Sequence, residues 1–568
     1  MILVLLLLCG SVGAVGSAWG LSRGGRSARV GAIIGGLALA AVVVLALALD
    51  APRVGTGRIP EGVGLLDGRL IPNNYMRLVI ALWAIDAALV VFVGWLAGGL
   101  AGLRGLMPAM LASIVGGSVA FAVTNLSLGA AAAGATGFCS LVVLLAVRTS
   151  TTIPAAAREL RVTIISTVLL LASIAVAPVA AGLAIRAAQG GRAGDVPGGA
   201  TAAPGGPEAI AVVGFLVLAI AIAVALRAGV IPFHLRVPRL VDVAPPLSAP
   251  LLLAWVPLPL AVVGLAVVDG LLAPLAVSLA GEQWIVIAVA VVTLVAAALA
   301  AFLQDDLRHA TGYLVISDWA LVLLGFAALD PGAWGPARTW LVALAASKTA
   351  LAAWAAVVEG RFGTRSIPDL RGWMRRSPIL AAALLVTTAA TYGLPTWASF
   401  EARVDLAQLT GGAPLDAILV IAGFLTLPTY LRLLAVGTGS TTTRVERAAP
   451  ERIARTRRVE TVAVELEATG PVAAVTTVAG SRGVDDRSIT GTVPVVRHAA
   501  RRSGGAASKG ATHAGRRLMS ALRRDATELT AAAVLAMAVL AALTSWGVLD
   551  IGGAASEPAP IVSNAATD

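Results

Sequence analysis

Apolar stretches of about twenty residues recur along the whole chain, each long enough to cross roughly 30 Å of hydrocarbon as a helix. They lie near residues 1–18, 30–49, 78–98, 105–123, 131–147, 162–185, 209–231, 247–269, 284–303, 312–329, 339–358, 378–400, 414–431 and 529–548. Inside lipid a backbone must satisfy its own hydrogen bonds, so such segments fold as helices. The reading is therefore an all-α polytopic membrane protein with about fourteen transmembrane helices. Composition agrees, with 58% hydrophobic and 13% charged residues among 568 and a mean hydropathy of +0.89. A soluble chain could not cover that much apolar surface with a polar exterior.

Several chemistries are excluded early. Cys9 and Cys139 both lie in apolar runs and form no C-x-x-C pair, which argues against a disulfide framework or an iron–sulfur site. The four histidines (His234, His309, His498, His513) lack metal-ligand spacing, so no metal is expected. No G-x-x-x-x-G-K-[ST] loop or strand-borne G-x-G-x-x-G occurs, so neither ATP nor NADH is expected to bind, and no cofactor is assigned. The net charge of +11 does not point to nucleic acid, because in a membrane protein the placement of charge matters more than its sum.

Placement is informative. With the N-terminus outside, the short cytoplasmic loops carry fifteen arginines and the external loops seven, so both termini are expected on the external side of a bacterial cytoplasmic membrane. The opening run MILVLLLLCG has no positive n-region, and Arg23, Arg26 and Arg29 follow it; it reads as a first span rather than a cleaved signal. Residues 437–526 hold sixteen Lys/Arg and no aromatics, the composition of a basic, disordered cytoplasmic loop. Such a loop is an extended linker, or a contact for anionic lipid headgroups or an acidic partner subunit.

Of the 42 basic residues only Lys348 and Lys509 are lysines, a bias expected of a GC-rich bacterial genome. Lys348 lies deep within its apolar stretch. A charge at the centre of a membrane helix costs at least ~2.5 kcal/mol, so a charged residue retained there has a partner or a task.

Three ordered stretches carry a resemblance to a known family. The first is Ala225-Leu-Arg-Ala-Gly-Val-Ile-Pro-Phe-His234, followed by Pro238 and Ala244-Pro-Pro-Leu-Ser-Ala249. The second is Gln304-Asp-Asp-Leu-Arg-His309 with Gly312-Tyr-Leu-Val-Ile-Ser317. The third runs from Ala346-Ser-Lys-Thr-Ala350 through Gly363-Thr-Arg-Ser-Ile-Pro-Asp-Leu370 to Gly393-Leu-Pro-Thr-Trp-Ala-Ser-Phe400, and a weaker likeness at Asp67-Gly68 extends towards the N-terminus. Together they resemble the antiporter-like subunits of respiratory complex I, of Mrp-type cation/proton antiporters and of membrane-bound hydrogenases.

The resemblance implies two inverted five-helix repeats, each with a broken helix that sets an ionisable side chain at the membrane midplane. It divides the chain into N-terminal helices (1–123), a first repeat (124–272), a second repeat (273–436), the basic loop (437–526) and a last helix with its tail (527–568). The sequence supplies helix breakers in corresponding places, Gly229 with Pro232 and Gly393 with Pro395, beside Arg227 and Arg403.

Lys348 matches the family's channel lysine, and an ammonium can release and regain a proton where a guanidinium stays charged. Arg227 and Arg403 stand where the family usually has titratable lysines, so each fixes a positive potential or an ion pair instead. Glu401 could supply a carboxylate at the level of Arg403. Asp318, where the family often has histidine, could relay protons or pair with Lys348. His234 matches the P-F-H motif and either bonds the loop or shuttles protons; Asp86 reads as a helix-packing hydrogen bond.

Two family residues are missing. Gly137-Phe-Cys-Ser-Leu141 has no glutamate, no acid occurs from 87 to 158, and the lysine expected near Leu258 is absent. The expected function is the membrane subunit of a complex I-type NADH:quinone oxidoreductase, moving protons through these residues beside other membrane subunits while redox chemistry sits on other chains. The alternatives are a subunit of a cation/proton antiporter, hydrogenase or inorganic-carbon uptake system, or a structural paralogue that conducts nothing.

Overall fold

Two residues decide where the chain must bend: Gly229 and Gly393 adopt φ of +77° and +64°, a region that costs a side-chain-bearing residue but not glycine. Each ends an apolar helix. The computed structural model describes residues 1–49, 63–65, 68–147, 149, 151–190, 207–275, 279–411, 419–439 and 509–556. Asp67 and most of the basic segment, residues 440–508, lie outside the described residues.

The helices are α1 Ile2–Arg23, α2 Gly25–Leu47, α3 Asn74–Gly102, α4 Leu106–Ala122, α5 Leu126–Ala135, α6 Phe138–Val147, α7 Thr152–Gly190, α8 Pro207–Ala228 and α9 Arg236–Val243. They continue with α10 Leu258–Val267, α11 Ala280–Leu303, α12 Leu307–Ala328, α13 Trp334–Phe362, α14 Trp373–Arg376, α15 Pro378–Tyr392 and α16 Ala398–Gly411, then α17 Leu427–Thr438, α18 Lys509–Trp546 and α19 Ile551–Ser556. A short antiparallel hairpin, β1 Val63–Leu65 with β2 Gly68–Leu70, precedes α3.

Among the described residues twelve helical segments are long and apolar enough to cross a membrane. The protein is a multi-pass membrane protein. The remaining two expected spans, near 105–123 and 378–400, coincide with the shorter apolar helices α4 and α15, of 17 and 15 residues. At 1.5 Å per residue these cover about 25 and 22 Å. The segment Pro246–Leu272 is crowded by Pro250, Pro257 and Pro259, and its helix relaxes into π-type turns at Leu251–Trp255 and Val268–Leu272.

Burial is unequal. The apolar window of α1 or α2 is 28% buried, whereas those of α12 and α13 are 94% buried and that of Pro246–Leu272 is entirely so. The polar residues of α12 and α13 therefore sit at the centre of the bundle.

Register between α12 and α13 is set at one end of the pair. Arg308 clamps Glu359 with two bonds, 2.6 Å from Nε and 2.7 Å from Nη2. Backbone bonds from Leu307 to Arg365 and from Ile367 to Asp305 stitch the two helix ends together. Ten residues along α12 from Arg308 is Asp318, and eleven residues back along α13 from Glu359 is Lys348. Since both helices rise by 1.5 Å per residue, that clamp sets Asp318 opposite Lys348.

Asp306 caps α12, its side chain accepting from the backbone N–H groups of Arg308 and His309 at 2.8 and 3.2 Å. Asp306→Ala is expected to cost about 1 kcal/mol, read as a lowered unfolding temperature in detergent, because two N–H groups lose their acceptor.

Candidate functional site

Lys348 is fourteen residues from each end of α13, about 21 Å of helix either way, and 1% exposed. Asp318 is likewise central in α12 and 3% exposed. The Lys348 ammonium lies 2.5 Å from the Asp318 carboxylate and donates to the Tyr430 hydroxyl at 3.1 Å. A buried charge pair of this kind balances Coulomb attraction against lost hydration, so its presence says little about stability and more about use.

Beyond the lysine the polar path continues. The Tyr430 hydroxyl is 3.4 Å from Thr391 Oγ1, where either oxygen can donate. Thr391 closes α15 next to the break at Gly393, and its carbonyl accepts from Arg403 at 2.8 Å. Arg403 is 2% exposed. Its guanidinium lies over the rings of Trp340 (4.7 Å) and Phe424 (5.3 Å), and among the described residues no carboxylate pairs with it. Cation–π contact lowers the cost of a buried cation without cancelling its charge.

Aromatic residues frame this cluster. Trp340 Nε1 donates to the Asp318 carbonyl at 3.2 Å and Trp319 Nε1 to the Leu253 carbonyl at 2.9 Å. Trp255 donates to Thr349, beside Lys348, at 2.8 Å, and stacks on Trp83 with ring centres 4.9 Å apart. Tyr392 packs edge-on to Tyr430 and bonds Thr426 at 2.6 Å. Rings locked in this way hold the polar side chains in place and leave little room for alternative rotamers.

The other break is built differently. Arg227, the penultimate residue of α8, is 1% exposed and donates to Thr163 Oγ1 on α7 at 2.6 Å. Its Nε and Nη2 have no hydrogen-bond partner among the described residues. Gly137, between α5 and α6, makes the space: a Cβ there would overlap the Arg227 guanidinium. Nearby, Arg236 binds Glu159 by two bonds of 2.8 and 2.5 Å and also donates to the Arg227 carbonyl. Glu159, an acid near enough to act on Arg227, is thus already neutralised by another arginine.

The structure brings Asp318, Lys348 and Arg403 into one polar path and leaves Arg227 in a separate pocket. Glu401 is exposed, on a different face of α16 from Arg403. His234 lies in the turn after Gly229, and its Nδ1 is buried with no hydrogen-bond partner among the described residues. Asp86 is 1% exposed and its Oδ2 also lacks a partner, so the packing hydrogen bond expected of it is not found there. Tyr430, Thr391, Thr163 and the Glu159–Arg236 pair were not singled out from the sequence. The one signal available for Tyr430 was scarcity, since the chain has only 4 tyrosines.

Residues 124–427, more than half of the chain, match the family described as NADH:quinone oxidoreductase/Mrp antiporter, transmembrane. The chain belongs to this family. A relative from Hydrogenovibrio crunogenus, NADH-quinone oxidoreductase subunit N, is 27% identical over 241 residues, 40% of this chain and 47% of that one. The chain thus spans about half the length of the curated relative it matches.

Solved structures agree on the antiporter-like fold. A subunit of the Mrp complex from Dietzia sp. superposes with a TM-score of 0.60 at 21% identity, covering 78% of this chain and 48% of that one. A subunit of the membrane-bound sulfane sulfur reductase, an archaeal respiratory membrane complex, gives 0.58 at 16% identity over 82% and 95%. At such identities the likeness is one of fold. Within this antiporter-like fold the Asp318–Lys348 pair and the buried Arg227 and Arg403 are the charged groups at the two breaks and between them.

Proposed function

We propose that this antiporter-like subunit serves a complex I-type NADH:quinone oxidoreductase of a bacterial cytoplasmic membrane, and that its C-terminal half carries protons. The observation that supports this most is the buried Lys348–Asp318 pair at the middle of α12 and α13, whose apolar windows are 94% buried. The name of the Hydrogenovibrio relative favours a quinone-reducing assembly, with other membrane subunits as partners. In this reading the chain holds two inverted repeats, residues 124–272 and 273–436, broken at Gly229 and Gly393, with both termini outside.

Each step needs only a short hop. Lys348 passes a proton to the Asp318 carboxylate across 2.5 Å, leaving a neutral amine and acid. The amine regains a proton in one concerted shift along the Tyr430 and Thr391 hydroxyls, each giving one proton as it takes another, with water at the Gly393 break as the donor and Asp318 passing its own proton onward. Hydroxyls suit this because each is both donor and acceptor. The break at Gly393 frees backbone carbonyls, which only protein or water can satisfy, so water has a way in at that end. Arg403 holds the Thr391 carbonyl and keeps its own proton, since a guanidinium stays charged.

Arg227 favours a second statement about the N-terminal half. With no acid paired to it among the described residues and Gly137 shaped to hold it, that half would contribute a fixed cation rather than a relay. A wholly structural paralogue would extend this to the C-terminal half. The two are separated by NADH-driven acidification of inverted vesicles, prepared without the chain, with it, and with its Tyr430→Phe form. Acidification is expected to fall without the chain and return with it, and Tyr430→Phe is expected to lower protons moved per NADH several-fold. Unchanged coupling in the Tyr430→Phe vesicles would favour the structural reading.

A further inference from the structure

A cavity of about 620 Å³ lies between the start of α7 and the turn joining α8 to α9. Its walls are mostly apolar, with Pro154, Val162, Leu226 and Phe233 among them. At its edge stand two exposed arginines, Arg158 and Arg239. The acids that also line it are already engaged: Glu159 binds Arg236 at 2.5 Å, and Asp242 lies 3.0 Å from His309 and 3.5 Å from Arg365. Among the described residues Arg158 and Arg239 have no acidic partner. The start of α7 adds the positive end of a long helix dipole on the same side.

We propose that this cavity is an anionic-phospholipid site, Arg158 and Arg239 holding the phosphate and the apolar wall receiving the glycerol end of an acyl chain. Phosphate chemistry follows from two unpaired guanidinium groups, which present forked donors to its oxygens. The lipid as source follows from volume and lining, since a free phosphate would leave most of an apolar cavity empty. The proposal does not depend on proton conduction. It does give the lipid a consequence: Arg236, on the cavity wall, also holds Glu159 on α7 and the Arg227 carbonyl just before the break. A bound lipid would steady the broken helix of the N-terminal half.

The test uses the full chain, purified in mild detergent and stripped of lipid, with its unfolding temperature followed during titration. Phosphatidylglycerol is expected to raise the temperature and phosphatidylcholine to leave it. Each arginine near an anionic surface is worth about fivefold in affinity, so Arg158→Gln with Arg239→Gln should weaken the phosphatidylglycerol response roughly thirtyfold. A control pair with the same loss of charge, Arg104→Gln with Arg375→Gln, should respond like the native chain. Equal responses to the two lipids, or no difference between the two double variants, would overturn the site. A shift of the same size from inorganic phosphate would overturn the lipid as its occupant.

Discussion

Inverted vesicles carrying Lys348→Ala are expected to pump no better than vesicles lacking the chain, compared at matched assembly. The reason is the isolation of the pair. Removing one partner of a buried ion pair costs about 3–5 kcal/mol when the other charge stays, so Asp318 would be driven to hold a proton permanently. The acid could then neither receive a proton from the next group nor release one. Lys348→Arg is expected to fail as well, although it keeps the charge, because a guanidinium does not cycle its proton.

A loss of pumping in Lys348→Ala alone would not separate relay from scaffold, because structure suffers too. The double variant Lys348→Met with Asp318→Asn removes both charges at similar volume, and neutral replacement of a buried pair is often tolerated. It is expected to assemble at native levels and still not pump. Full acidification per NADH oxidised by that variant would sink the relay.

Gly137→Ala is expected to cost about 2–3 kcal/mol, far more than a methyl group on a typical membrane helix. The added carbon falls where the Arg227 guanidinium lies, so the arginine must leave Thr163 within a packed site. The same substitution in an Arg227→Met background is expected to be nearly neutral, since the shorter side chain no longer reaches the space. A double-mutant cycle on unfolding temperature then yields a coupling of more than ~1 kcal/mol. Strict additivity would mean that Gly137 serves α5–α6 packing and not Arg227. Restoring a carboxylate by Gly137→Glu should block assembly alone and be tolerated with Arg227→Lys.

The sequence made the spans legible because apolar runs of twenty residues leave a chain few options. Lys348 was legible for a similar reason, being one of two lysines in a chain that otherwise uses arginine, and the one inside an apolar span. Its partner was only half visible. That Asp318 lies opposite depends on the Arg308–Glu359 clamp at the other level of α12 and α13, a long-range register that spacing alone does not give. Thr391 was not legible, because a threonine hydroxyl in an apolar helix usually bonds its own backbone and carries no local mark, and Tyr430 had only its scarcity to draw attention.

Glu401 and Arg403 show the limit differently. Two residues apart on a helix means about 200° of rotation, so side chains at one level face opposite ways. The sequence placed them at one height and could not place them on one face. At Gly137 the missing acid read as a loss of chemistry; in the structure it is the shape that admits a larger cation.

The ring-held arginine bears on what happens when nothing drives the subunit. Arg403 is linked to Lys348 through Thr391 and Tyr430, placing two positive charges on the order of 10 Å apart in the proposed path. Lys348 is balanced by Asp318, so Arg403 is the uncompensated cation; at an effective dielectric of ~20 it repels an extra proton arriving roughly 10 Å away by about 1.7 kcal/mol, close to a twentyfold bias against unaided entry. Because aromatic faces rather than a carboxylate steady Arg403, that bias does not switch off. An idle membrane would therefore stay tight, and conduction would begin only when the partner subunits supply the energy to lift the barrier.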